Sequence, residues 1–176
     1  ETGGVERANT LLVAACDAYA RRSRPLAAEA EQFEALAKRL FPTAAPTART
    51  KAAGILASAQ HLTPQLEILV YDHLGTGLIA HIERAPSLSD DVMMRLIEKG
   101  NADVIAAIAR RPALSNAILA RLFPVNSRKV YRALAANGSI APRGAYLNAL
   151  TRSAEMDHEV AAILARREDR SDLVVH

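Results

Sequence analysis

Apolar residues return at steps of three and four through the opening stretch of the chain, with Val5, Leu11, Leu12, Ala15, Cys16 and Tyr19 in phase. That is the period of an α-helix turning one face to a core, and the spacing predicts a helix over 5–22. Arg21, Arg22 and Arg24 gather at its end, where positive charge complements the free carbonyls of a helix C-terminus. Pro25 stops it. A second helix is predicted over 26–41, with Glu29 and Glu31 in its first turn and Lys38 and Arg39 in its last. Phe33, Leu36, Ala37 and Leu40 form its apolar stripe, and Pro42 and Pro46 bracket a short linker. These two helices are expected to make an antiparallel hairpin over residues 5–45.

From about Gly54 a longer period sets in. Ala80-His81-Ile82-Glu83-Arg84-Ala85-Pro86-Ser87-Leu88-Ser89 and Ala106-Ala107-Ile108-Ala109-Arg110-Arg111-Pro112-Ala113-Leu114-Ser115 share Ala, Ile, Arg, Pro, Leu and Ser at an offset of 26. The same step leads forward to residues 132–141, where the apolar slots hold and Gly138 replaces the proline, and back to residues 54–63. A last copy lies near Leu164-Ala165-Arg166-Arg167 and ends at Ser171, after an insertion of four residues. Registered recurrence of this kind marks a repeat architecture.

Each copy reads as two short helices around a tight corner. The first helix ends at Arg and is stopped by Pro, because the residue before Pro resists helical geometry. Leu88, Leu114 or Ile140 plugs the corner, and Thr63, Ser89 or Ser115 caps the second helix with its hydroxyl. Pro64, or Asp90 with Asp91, favours the start of that helix. The second helices are predicted over 64–73, 90–99, 116–123 and 143–152, with Gly75, Gly100 and Pro124 to Asn126 ending the first three. A unit this short cannot bury its own apolar stripe, so neighbours must stack. The expected fold is all-α: a right-handed α-solenoid over residues 46–176, capped by the N-terminal hairpin over 5–45. The chain stops at Asp172-Leu173-Val174-Val175-His176 without a helix-ending signal, and the natural array is expected to continue.

Composition agrees with helices. Half of the residues are apolar, 4% are aromatic with no Trp, and 23% are charged. A disulfide scaffold, a collagen, a membrane span and a disordered tail are excluded by these figures. Lone Cys16 cannot form an internal disulfide, and with no signal peptide visible a reducing, cytoplasmic setting is expected. The net charge is a modest +3, yet residues 104–152 contain no Asp or Glu. That block holds Arg110, Arg111, Arg121, Arg128, Lys129, Arg132, Arg143 and Arg152. Two readings stand: a solvated face balanced in space by acids from elsewhere, or a surface for an anionic partner.

The residues 80–91, the stretch Ile105 to Ser115 and Leu134-Ala135-Ala136-Asn137-Gly138 resemble a known family. It is the alphaproteobacterial domain-of-unknown-function family numbered 2336, whose pattern runs in outline L-x-x-S-P-x-L-S-D, A-I-A-R-R-P-x-L-S and L-x-x-N-x-x-A. The likeness covers about residues 5–152. Gly138-Ser139-Ile140 is looser than the family's stretch, and Ala85 stands where Ser usually precedes the proline. The resemblance implies helical repeats and a bacterial cytoplasmic setting, and it carries over no catalytic residue. More remotely the array is similar to HEAT-like and leucine-rich-variant helical repeats, which mostly bind proteins and sometimes nucleic acid.

Candidate chemistry is sparse. His61, His73 and His81 lack ligand spacing, and Asp157-His158-Glu159 reads as the polar start of a helix. No metalloprotease, Cys-pair, calcium-loop or nucleophile-elbow motif occurs, and Gly75-Thr76-Gly77 lacks the Lys of a phosphate loop. Cys16 sits in an apolar run and reads as a small buried hydrophobe. No enzyme, cofactor or metal is expected. Arg84, Arg110, Arg111, Arg166 and Arg167 recur at one repeat position, the end of the first helix. They read either as caps on helix carbonyls or as a ladder of guanidinium groups along one edge. The second reading makes Arg84, Arg110, Arg111, Arg128, Lys129 and Arg132 the anion-pairing contacts of an interaction scaffold. An acidic protein or peptide is the expected partner, with non-specific nucleic-acid binding as the alternative.

Overall fold

The computed structural model describes residues 2–86, 88–99 and 101–167. Among them lie eleven α-helices, one short 3-10 turn at Gly75–Gly77, and no strand. The chain divides into two compact units, Glu1–His81 and Ile82–His176. Ser87, Gly100 read as a helix stop, the last copy's end at Ser171, and the segment 168–176 of the expected array lie outside the described residues.

The first unit holds α1 (Thr2–Ala20), α2 (Ala27–Thr43), α3 (Pro46–Leu56), α4 (Pro64–His73) and the start of α5 (Leu78–Arg84). α1 packs against α2 and more extensively against α3, and α4 packs against α2 and α3. Leu12, Cys16, Ala37, Phe41, Ala52, Ala53, Leu56, Leu66 and Val70 make one core. Ala52 and Ala53 are wholly buried, and such small side chains let helix backbones come close. Tyr19 stacks on Phe33 with ring centroids 4.2 Å apart. Asn9 accepts the Ala45 N–H at 2.7 Å, tying the α2–α3 corner to α1. Thr63 caps α4 by accepting the Leu66 N–H, as its place in the repeat predicts, and donates its hydroxyl to Glu34 at 2.7 Å.

Several local expectations change. Val5 and Leu11 are 46% and 51% exposed, so the buried face of α1 is narrower than its apolar pattern. Pro42 lies inside α2, one residue from its end, where it forfeits the N–H bond to the Lys38 carbonyl; just beyond it the Thr43 hydroxyl and the Ala44 N–H both donate to the Leu40 carbonyl. The linker thus shrinks to Ala44 and Ala45, and Pro46 becomes the first residue of α3, where a missing N–H costs nothing. Gly54 falls within α3 and does not open an element. The units part between His81 and Ile82, inside α5. Phe41 and Ala44 share a core with Ala52, Leu66 and Val70, so burial runs straight across residue 45.

The second unit contains α6 (Asp90–Glu98), α7 (Ala102–Ala109), α8 (Asn116–Leu122), α9 (Arg128–Ala136), α10 (Ala145–Met156) and α11 (His158–Ala165). α6 packs on α7 and α8, α7 on α9, α9 on α11, and α10 on α9 and α11. First helices of successive copies therefore touch in series. Val104 to Ala109 are all buried, as expected of a helix covered by neighbours on several sides. Leu88 and Ile140 are buried at their corners and Leu114 is half-buried. Ser115 caps α8 through the Ile118 N–H at 3.2 Å, while Ser89 occupies the cap position of α6 without a side-chain cap bond. α10 starts two residues later than predicted and runs to Met156. Gly144 takes φ +54° before it, a left-handed conformation that glycine adopts without a Cβ clash.

Candidate functional site

Sequence positions 85, 111 and 137 are equivalent in the 26-residue register, and residue 167 joins them after the four-residue insertion. The structure turns this position into a chain of backbone contacts. The Arg111 guanidinium donates to the carbonyls of Ile82 and Ala85, the latter at 2.9 Å. The Asn137 side-chain amide donates to the carbonyls of Ala109 and Arg111, each at 2.8 Å. Arg167 donates to Ala135 at 3.0 Å, Asn137 at 3.2 Å and Ile140 at 2.6 Å. In each case a side chain at a corner donates to carbonyls at or just past the end of the preceding first helix, where the helix ladder runs out. Arg111 and Asn137 are 9% and 8% exposed. Carbonyl capping was one reading of this Arg position, but the capped helix is the previous copy's, not the residue's own.

Ion pairs follow the same step. Arg110 meets Glu83 at 2.8 Å and Lys129 meets Asp103 at 2.6 Å, both on the surface. The Ser115 hydroxyl donates to Asp90 at 2.6 Å. Arg132 grips Asp157 with two bonds, Nε at 2.9 Å and Nη2 at 3.1 Å, and also pairs with Glu159. The Asp157 side chain is only 5% exposed. Its carboxyl is held below the ordinary value, chiefly by the hydrogen bond from Arg132. It caps α11 as well, accepting the Glu159 N–H at 3.0 Å, so the triplet Asp157-His158-Glu159 is a helix start as read.

The six predicted anion contacts thus part into two groups. Arg110, Lys129 and Arg132 are engaged by acids of the chain, and Arg111 by buried carbonyls. Arg84 and Arg128 are exposed and make no ion pair with any described residue. The same holds for Arg121, Arg143 and Arg152. Arg128 and Arg152 line one pocket of about 380 Å³ between α9 and α10, together with Asn126, Tyr131, Ser153 and Met156. Sequence reasoning did not find this convergence, because 24 residues separate the two arginines and two different helices carry them. It also passed over Asn137, whose position holds Arg in the copies on either side.

Elsewhere the chemistry is quiet. The Cys16 thiol is wholly buried and pushed up to about 12 by that burial. A thiol so far from its thiolate is no nucleophile at neutral pH. Among the described residues no three His, Cys, Asp or Glu side chains come together as a metal site, and no helix is long and apolar enough to cross a membrane. The first unit has an open groove of about 700 Å³ between α1 and α3, lined by Asn9, Val13, Asp17, Lys51 and Ile55 among others.

Neither the curated proteins nor the solved structures contain a match to this chain. One family model matches residues 80–176, described as an uncharacterised protein conserved in bacteria (DUF2336). Those residues take in the end of α5, all of α6 to α11, and every carbonyl contact made by Arg111, Asn137 and Arg167. With more than half of its length matched, the chain belongs to this family of uncharacterised bacterial proteins.

Proposed function

We propose that the chain is a non-enzymatic interaction scaffold of the bacterial cytoplasm that binds an acidic protein partner. In this reading the helical pairs of the second unit form a right-handed, HEAT-like α-solenoid, and the exposed arginines supply the contact. The observation that carries it is the set Arg84, Arg121, Arg128, Arg143 and Arg152, exposed guanidinium groups that make no ion pair with any described residue. Guanidinium forks match carboxylates in two-point fashion, and stacked repeats favour extended protein contacts.

The test is capture from a bacterial lysate, run with and without nuclease, using wild type and the Arg84→Glu/Arg121→Glu/Arg143→Glu variant. These positions are exposed, so the variant is expected to keep wild-type helicity by circular dichroism. An acidic protein retained by wild type after nuclease and lost by the variant supports the reading. Retention of nucleic acid, abolished by nuclease and falling steeply with salt, overturns it in favour of phosphate binding.

A further inference from the structure

We infer that the pocket between α9 and α10 is a carboxylate-binding site, which takes an Asp or Glu side chain flanked by an aliphatic residue on a partner peptide. This rests on the interaction-scaffold reading and deepens it by naming the docking point. Four polar side chains line the pocket without a partner among the described residues: Asn126, Arg128, Arg152 and Ser153. All four can donate hydrogen bonds, and two carry full positive charge. The one acid in the lining, Asp157, is already held by Arg132. It makes no ion pair with Arg128 or Arg152.

The start of α9 adds to the imbalance. Arg128 is its first residue, its first turn contains no acid, and Ser127 gives it no side-chain cap. Positive charge at the positive end of a helix is unfavourable by itself. Three other helix starts of this unit carry acids, whereas α8 and α10 have none in their first turns. Asn101 caps α7 with Asp103 in its first turn, Asp157 caps α11 with Glu159, and α6 opens on Asp90 and Asp91. An incoming carboxylate would meet the Arg128 and Arg152 forks and relieve the charge gathered at this helix end.

The rest of the lining selects a peptide over a nucleic acid. Tyr131 is the one aromatic residue in the lining, its hydroxyl tied to the Phe123 carbonyl at 2.7 Å, so no second ring stands in the pocket to make a stacking platform for successive bases. Met156 is 77% exposed at the same pocket, an adaptable apolar surface for an aliphatic side chain. The volume, about 380 Å³, suits one or two side chains.

The test pans a library of displayed random peptides, each about a dozen residues long, against the full chain. Selected peptides are then titrated by fluorescence anisotropy against wild type, Arg128→Ala/Arg152→Ala, Met156→Gln, and a control at two exposed arginines of the first unit, Arg24→Ala/Arg39→Ala. Expected are Asp or Glu next to Leu, Ile or Met in the selected sequences, and at least about tenfold weaker binding to the pocket double variant. Met156→Gln should weaken binding about threefold, and the control should stay within about twofold. Circular dichroism and melting checks that each variant is folded. Acidic peptides that lose equal affinity to both double variants overturn the pocket and leave the scaffold reading in place. Failure to select any acidic peptide overturns both. Preference for a random DNA duplex over the selected peptides, again through Arg128 and Arg152, overturns the carboxylate in favour of phosphate.

Discussion

The Asn137 side-chain amide lies 2.8 Å from the backbone carbonyl of Arg111, and the Arg111 guanidinium reaches back in the same way to the carbonyl of Ala85. Each corner residue thus closes the corner one copy earlier. Removing one donor leaves the carbonyls of Ala109 and Arg111 buried and unpartnered. Asn137→Ala is therefore expected to lower stability by about 2–4 kcal/mol, read from the midpoint of urea unfolding. Asn137→Leu, similar in volume, should be no better, which separates the lost hydrogen bonds from lost packing.

The surface pairs set the comparison. Arg110 and Glu83 are 53% and 41% exposed, so solvent screens them and Arg110→Ala should change stability by less than about 1 kcal/mol. Arg111→Ala, one residue on and buried, should behave like Asn137→Ala. Equal effects at positions 110 and 111 would show that the carbonyl contacts of Arg111 do not matter to the fold.

Acid should act through Asp157. Its carboxyl sits below its ordinary value of 3.8 because Arg132 bonds the charged form. A group held low in the folded state stabilises it fully above the ordinary value, and that contribution fades as pH falls through 3.8 toward the folded value. Urea midpoints measured from neutral pH down to about pH 3 should fall more steeply for wild type than for Asp157→Asn, with the two curves converging at the acid end. Parallel curves would remove Asp157 from the acid response.

Cys16 gives a chemical readout of burial. With its thiol near 12, alkylation by iodoacetamide at pH 8 should be at least about a thousandfold slower in the folded protein than in urea. Fast labelling without denaturant would place Cys16 outside the core of the first unit.

Much of the helical plan was legible in the sequence. Thr63 and Ser115 cap the helices that follow them, and α4, α6 and α8 begin where their caps and prolines indicate. The 26-residue step reappears in the spacing of real bonds, from Lys129–Asp103 to Asn137–Arg111. What the pattern could not give is which apolar residues lose their partners. Val5 and Leu11 fit the helical period, yet about half of each stays exposed, because burial depends on which helices arrive and not on the period of one. Asn137 was hidden by chemistry rather than by spacing. Arg and Asn look unlike in a repeat comparison, but both present N–H groups on a side chain long enough to reach the same carbonyls. The α9–α10 pocket was hidden by distance along the chain, since its two arginines become neighbours only once both helices are packed.

The corner contacts also have a direction. Arg111 serves residues before it, Asn137 serves residues before it, and so does Arg167. On a ribosome, the corner at Ala109 to Arg111 therefore waits with bare carbonyls until Asn137 has been made and has folded back. Each newly completed copy seals the one synthesised before it, so this half of the chain matures from its N-terminal side with a delay of about one repeat.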